Sequence, residues 1–307
     1  MPDFGLTGVA VLVAAIAAAL PVRLAAFLRR PLLVRIGCVL GVGAGVYASC
    51  AVLGLRPRWP VLEDRDRFLV VLLPLTLVVE TAAVAVSRPR WPAWLLRLVV
   101  AVAAAPILLH NSVYLADLSG PHSAEWPPAL AVLILSLLAT ALAAVWALLA
   151  LLHERTADRS VPAVLALSTA AAGVTVMLSG YFHGGLLGLS LAAALAGATL
   201  ASFAAPAPPS RRGEAAAPLL GVGMIGLYTA LLLGRFFGSL PTASALCLLL
   251  APLSPWVSEA PGVRKLRPGL RAAARLIVIV VPLILVVVNA KMRFDAGAAS
   301  HYGPFEP

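Results

Sequence analysis

Charge is scarce in this chain. Of 307 residues only 12% are Asp, Glu, Lys or Arg, while 61% are hydrophobic. A soluble domain carries about 25% charged and about 45–50% apolar residues, so no polar shell can be built to cover this much apolar surface. Lysine is nearly missing: of 23 basic residues only Lys265 and Lys291 are not arginine. Cysteine is rare too. Cys38, Cys50 and Cys247 all lie in apolar runs and form no CxxC pair, which excludes a thioredoxin-like motif and a zinc site. Cys38 and Cys50 sit about 18 Å apart along one predicted helix, too far for a disulfide, and read as small buried apolar residues. The five histidines and thirteen acids are scattered. No HExxH, P-loop or GxSxG motif occurs, so the common metal-assisted, nucleotide-hydrolysing and esterase chemistries lack their signatures, and no metal or cofactor is expected. The net charge of +10 does not point to nucleic acid, because no basic stretch carries the interleaved aromatics that base stacking needs.

Long apolar runs are what the chain does have, with a mean hydropathy of +0.98. A membrane-crossing helix needs about 20 mainly apolar residues. Ten runs qualify or nearly so: 5–22, 31–53, 68–87, 93–115, 128–151, 161–180, 184–204, 217–237, 240–257 and 272–290. The reading is an all-α, polytopic integral membrane helix bundle forming a single transmembrane domain over 1–307. The ninth run is the shortest and holds Pro252 and Pro255, so it reads as either a full crossing or a re-entrant segment. The sixth and seventh, joined around Tyr181-Phe182-His183-Gly184, should form a tight antiparallel hairpin.

Orientation follows from the basic residues, which collect on the cytoplasmic side. No positive charge precedes the first run, and Arg23, Arg29 and Arg30 follow it. This points to an uncleaved first span with the N-terminus outside; the alternative is a cleaved signal with its site in Ala14–Ala19. With the N-terminus outside, 16 basic residues fall inside and 7 outside, and both termini lie outside. The outer exception is the Leu55 to Arg67 loop, whose four arginines are nearly balanced by Glu63, Asp64 and Asp66. It reads as a solvated charged loop, since Arg65 and Arg67 would repel a calcium ion. Trp91, Trp94 and Trp256 at inner boundaries, with Trp59 and Trp126 at outer ones, fit interfacial aromatic belts. The Arg-for-Lys and Ala-rich bias associates the gene with a GC-rich bacterium, hence with a multi-pass protein of the cytoplasmic (inner) membrane. Its expected partners are the lipid bilayer and other membrane subunits.

A few residues are costly where they stand. Glu80 lies inside the third run, about 12 Å from its cytoplasmic end. A carboxylate at the centre of a spanning helix costs about 2.5–3.5 kcal/mol on insertion scales, so such residues face the bundle interior or a cavity. Arg97 sits about 7 Å in from the same side on the next helix, and a Glu80–Arg97 ion pair is the expected structural partner, with Arg35 and Arg275 as competitors. The functional alternative is a protonatable carboxylate in a transport path with Thr76 and Thr175. A second cluster, His110, Tyr114 and Asp117, falls at i, i+4 and i+7 on one predicted helical face, flanked by Asn111, near the outer surface. It reads as an interfacial polar cap or as the rim of an outward-facing site. Pro74, Pro106 and Pro282 lie inside runs and should each remove a backbone hydrogen bond.

Three functions are compatible with this pattern. One is a small-molecule permease using the polar hairpin of spans three and four, with Thr76, Glu80, His110, Asn111, Tyr114, Asp117 and Thr175 along its path. Another is a non-catalytic scaffold or accessory subunit of an envelope complex, with Glu80 paired. The third is a membrane enzyme acting on lipid or quinone at the outer rim, with His110 and Asp117 as acid and base. Size alone likens the chain to compact ten-span drug/metabolite transporters, although no paired features mark an inverted repeat. A water-accessible cavity at Glu80 favours transport, and a closed Glu80–Arg97 contact favours the scaffold.

Overall fold

The computed structural model describes residues 4–61, 63–86, 91–115, 126–156, 160–203, 214–259 and 268–301. Among them there is no strand. The helices are α1 (Phe4–Phe27), α2 (Pro31–Val52), α3 (Asp64–Ala85), α4 (Trp91–Leu109), α5 (Pro128–Thr156), α6 (Ser160–Leu178), α7 (Phe182–Phe203), α8 (Leu219–Phe236), α9 (Thr242–Leu250, continued by a 3₁₀ stretch Ala251–Glu259) and α10 (Pro268–His301). Nine helices among the described residues, all but α9, are long and apolar enough to cross a membrane. Large apolar side chains stand exposed along their outer faces, for example Leu20 and Leu24 on α1, Val99 and Val102 on α4, and Ile284 and Leu285 on α10. Water would not tolerate so continuous an apolar exterior. The architecture is that of a polytopic helical membrane protein.

The ninth predicted span is not a plain helix. Nine α-helical residues give way to nine in 3₁₀ geometry. Pro252 and Pro255 supply the reason, because neither can donate to the carbonyl four residues back.

The hub is α8. Nearly all of it is buried, and it touches α2, α3, α4, α5, α6, α7 and α9. Small residues permit this crowding. A Cβ at Gly223 would strike Leu165, and one at Gly226 would strike Leu191. Elsewhere Gly41 of α2 rides on the Ala18 carbonyl of α1, and Gly173 of α6 faces Gly188 of α7. Lipid offers no hydrophobic drive for helix pairing, so backbone proximity of this kind carries the association. The α6–α7 hairpin is as tight as its short connection suggests. Gly180 takes φ +90°, a conformation glycine adopts without steric cost, and Tyr181 N–H donates to the Val176 carbonyl at 3.2 Å. The α8–α9 turn is clipped to that hairpin, since Ser239 donates both its N–H (2.8 Å) and its hydroxyl (2.9 Å) to the Ser179 carbonyl.

Two helix boundaries depart from the sequence expectation in ways that bear on function. The third helix begins at Asp64 rather than residue 68, so Asp64-Arg65-Asp66-Arg67 is its first turn and not a loop. The fourth ends at Leu109 rather than residue 115. Asn111 takes φ +52°, which ends helical geometry, so His110 and Tyr114 do not share a helical stripe.

α3 also contains a π turn over Phe68–Leu72. Leu73 N–H donates to Phe68, five residues back, which takes it from its regular acceptor, Leu69. In the π register the next donor to Leu69 would be residue 74, but Pro74 has no N–H. The Leu69 carbonyl is instead taken by the Tyr47 hydroxyl of α2. A buried carbonyl must find a partner, and here the partner comes from another helix.

Candidate functional site

Glu80 is completely buried on α3. The structure brings it to Arg97 of α4 in a two-point contact, with Arg97 Nε donating to Oε1 at 2.8 Å and Nη2 donating to Oε2 at 2.7 Å. This fork matches carboxylate geometry and is the strongest form such a pair takes. The guanidinium lies between two indoles, 5.2 Å from the Trp94 ring centre and 5.8 Å from that of Trp146 on α5, where the aromatic faces favour a cation. On the other side Gly221 of α8 packs directly on the carboxylate, and any Cβ there would collide with it. Arg35 of α2 is within electrostatic reach. Three helices thus close around one carboxylate.

Thr76 and Thr175 are also fully buried. Each hydroxyl donates to the carbonyl four residues back in its own helix, Thr76 to Leu72 at 2.7 Å and Thr175 to Ala171 at 2.7 Å. Neither residue lines the cavities that adjoin Arg97 and Tyr228. A cleft of about 580 Å³ does reach Arg97 from the α4–α5 side, walled by Trp91, Trp94, Trp146 and alkyl groups, but Glu80 does not line it.

Of the second predicted cluster, the described members His110, Asn111 and Tyr114 point to different surroundings. His110 and Asn111 are exposed just beyond the end of α4. Tyr114 turns inward to Trp126 (4.8 Å between rings) and Phe236 (5.2 Å), and its hydroxyl donates to the Phe236 carbonyl at 3.3 Å. Asp117 lies outside the described residues. Of the predicted helical face, the described residues thus give an exposed His110 and a Tyr114 packed in an aromatic cluster.

The charged opening of α3 is not the solvated loop its composition suggests: Arg65, Asp66 and Arg67 are all buried. Arg65 meets Glu63 at 2.7 Å and Asp66 at 3.5 Å. Arg67 Nη1 donates to the Leu108 carbonyl at 3.2 Å, one of the carbonyls left over where α4 stops. The Tyr181 hydroxyl, in the α6–α7 turn, donates to the Asp64 carboxylate. Burial first, and then the Asp64 charge, push the Tyr181 phenol above its usual range. Two acids in the first turn also suit the positive end of the helix dipole. Among the described residues no group of three or more His, Cys, Asp or Glu is placed to hold a metal.

Near Tyr114 a cleft of about 400 Å³ opens between α5, α8 and α9. Its lining includes Tyr228, which sequence reading passed over. Tyr228 is 3% exposed, and among the described residues its hydroxyl has no hydrogen-bond partner. The signal was present as the spacing Tyr228, Leu231, Leu232, Arg235 along one helical face, but an isolated tyrosine in an apolar helix is unremarkable on its own. Compared with family models, curated proteins and solved structures, the chain matches none.

Proposed function

We propose that this protein is a non-catalytic membrane scaffold, an accessory or assembly subunit that supplies packing surface to a complex in the cytoplasmic membrane of a bacterium. It is read as a single transmembrane domain crossing ten times, with both termini on the non-cytoplasmic side. The observation that carries the reading is the closure of Glu80, which has no exposure and a two-point partner. A proton-coupled permease needs its carboxylate to meet water on alternate sides, and a closed fork with Gly221 pressed against it supplies no such route. The hydroxyl protons of Thr76 and Thr175, already given to carbonyls of their own helices, agree with this. Ten crossings are supported by length. Nine α-helical residues rise about 1.5 Å each and nine 3₁₀ residues about 2.0 Å each, so α9 and its extension reach about 31 Å, against a hydrocarbon core of about 30 Å.

Cysteine accessibility tests the reading. In a background with Cys38, Cys50 and Cys247 replaced by Ala, Thr76→Cys and Thr175→Cys should resist membrane-impermeant maleimide from both sides, while the exposed Trp59→Cys labels readily. Labelling of Thr76→Cys at the rate of Trp59→Cys would overturn the scaffold in favour of a transport path.

A further inference from the structure

The cleft between α5, α8 and α9 has the chemistry of a lipid site, and we propose that it binds one anionic glycerophospholipid from the surrounding bilayer. This inference does not depend on the scaffold reading. Arg235 is the charged side chain among the described residues of its lining, and no carboxylate lines it. Arg235 is exposed at the mouth, with Nε donating to the Thr242 hydroxyl at 2.9 Å. That bond holds the guanidinium in place and leaves its two amino groups for a phosphate, which a guanidinium fork fits well. Below the charge the wall turns apolar through Leu231, Ile134 and Leu249. Half-exposed Leu246 lies on the rim, so the cleft opens sideways toward acyl chains and not only toward water. Trp126, Tyr114 and Phe236, with ring centres 4.8–5.5 Å apart, form a rigid flank beside the charge, as aromatics do at the level of lipid headgroups.

Tyr228 is the second pointer to a ligand. It lies two helical turns below Arg235, about 10 Å along the axis, and its buried hydroxyl lacks a partner among the described residues. A buried donor left unpaired is costly. The ester carbonyls beneath a lipid phosphate are acceptors on this side of the charge, and two long side chains take up the remaining distance. At about 400 Å³ the cleft falls within the range of small-molecule sites, about 300–1,000 Å³, enough for a headgroup and the upper part of one chain.

The test is a native mass-spectrometry titration of the full-length, delipidated protein in detergent with phosphatidylglycerol, phosphatidylcholine or inorganic phosphate. Phosphatidylglycerol should bind one to one. Arg235→Gln should weaken it about fivefold, the effect of one basic residue at an anionic lipid surface, and should leave phosphatidylcholine unchanged. Arg235→Lys should retain most of the preference for the anionic lipid. Ala245→Trp, which fills the cleft, should abolish one-to-one binding. Equal phosphatidylglycerol affinity in Arg235→Gln overturns the proposal, and so does one-to-one binding that survives in Ala245→Trp. Displacement of the lipid by millimolar inorganic phosphate would mark a site for a free anion and also overturns it. Arg235 is exposed, so its variants do not depend on repacking the core.

Discussion

At one end of α3 a single carboxylate, Glu80, takes a two-point contact from one guanidinium, Arg97. At the other end Glu63, Asp64, Arg65, Asp66 and Arg67 share a crowded neighbourhood with Tyr181 and the Leu108 carbonyl. Both ends bury charge, but they differ in redundancy. Among the described residues Glu80 has one forked partner, Arg97, with Arg35 in electrostatic reach, whereas the opposite cluster spreads its contacts over several groups. The difference teaches which buried charge is brittle. A lone pair concentrates its whole stabilisation in two hydrogen bonds, while a cluster spreads it.

The largest effect should therefore come from breaking the lone pair. Glu80→Ala leaves Arg97 without its acid between Trp94 and Trp146, and removing one partner of a buried pair costs about 3–5 kcal/mol. Loss of folded protein in the membrane and a sharp fall in unfolding temperature in mild detergent are expected. Glu80→Met with Arg97→Met should recover most of the loss, because an apolar pair of similar volume no longer carries an unpaired charge. If the double variant is as unstable as the single one, Glu80 and Arg97 are not each other's main partner.

Next in size is Gly221→Ala. The added methyl would sit on the Glu80 carboxylate, and overpacking of this kind costs about 1–3 kcal/mol. The same change at Gly54, where a Cβ meets nothing but φ is +69°, probes backbone strain instead. Thermal melts of the two variants, each with and without Arg97→Met, separate them: the Gly221 effect should couple to the ion pair and the Gly54 effect should not.

Tyr181→Phe tests the redundant end. It removes one hydrogen bond to a charged acceptor, an interaction worth about 1.5–3 kcal/mol, and re-pairing within the cluster should hold the loss near the lower figure. The pH dependence has a definite sign. Folding raises the Tyr181 pKa, so the folded state keeps a proton that the unfolded chain gives up near its ordinary value. The stabilisation is complete below about pH 10 and is lost as pH rises beyond it. Unfolding curves collected from pH 8 to 11 should show wild type losing stability relative to Tyr181→Phe above pH 10. Parallel curves would remove Tyr181 from the cluster's energetics.

The same contrast explains what could be read from residues alone. Hydropathy marks nearly every helix of the bundle, because an apolar run of spanning length has few other uses. Glu80 stood out because an acid inside such a run is costly, and Arg97 followed from antiparallel depth on the next helix. The start of α3 was illegible for the opposite reason. Charges at the edge of an apolar run look like a loop, and the groups that bury them, Tyr181 and the Leu108 carbonyl, are distant in sequence. The end of α4 was missed because His110 to Tyr114 continues a helical spacing that Asn111 interrupts with its positive φ. Tyr228 and Arg235 line one cleft only because α5 and α9 stand beside α8.

The smallest effect probes the π turn that separates the two ends of α3. Tyr47→Phe deprives the Leu69 carbonyl of the hydroxyl that serves it, a loss of about 1 kcal/mol. That carbonyl is orphaned because Leu73 N–H is given to Phe68 and Pro74 has no N–H to offer. Pro74→Ala restores a donor one residue along, within reach of Leu69 in the π register. In the Pro74→Ala background Tyr47→Phe should therefore cost less than in wild type, and a double-mutant cycle on unfolding free energy isolates the difference. A cycle that closes without coupling would mean that Leu69 draws its partner from elsewhere. The two ends of α3 would then not be joined through a turn that depends on Tyr47.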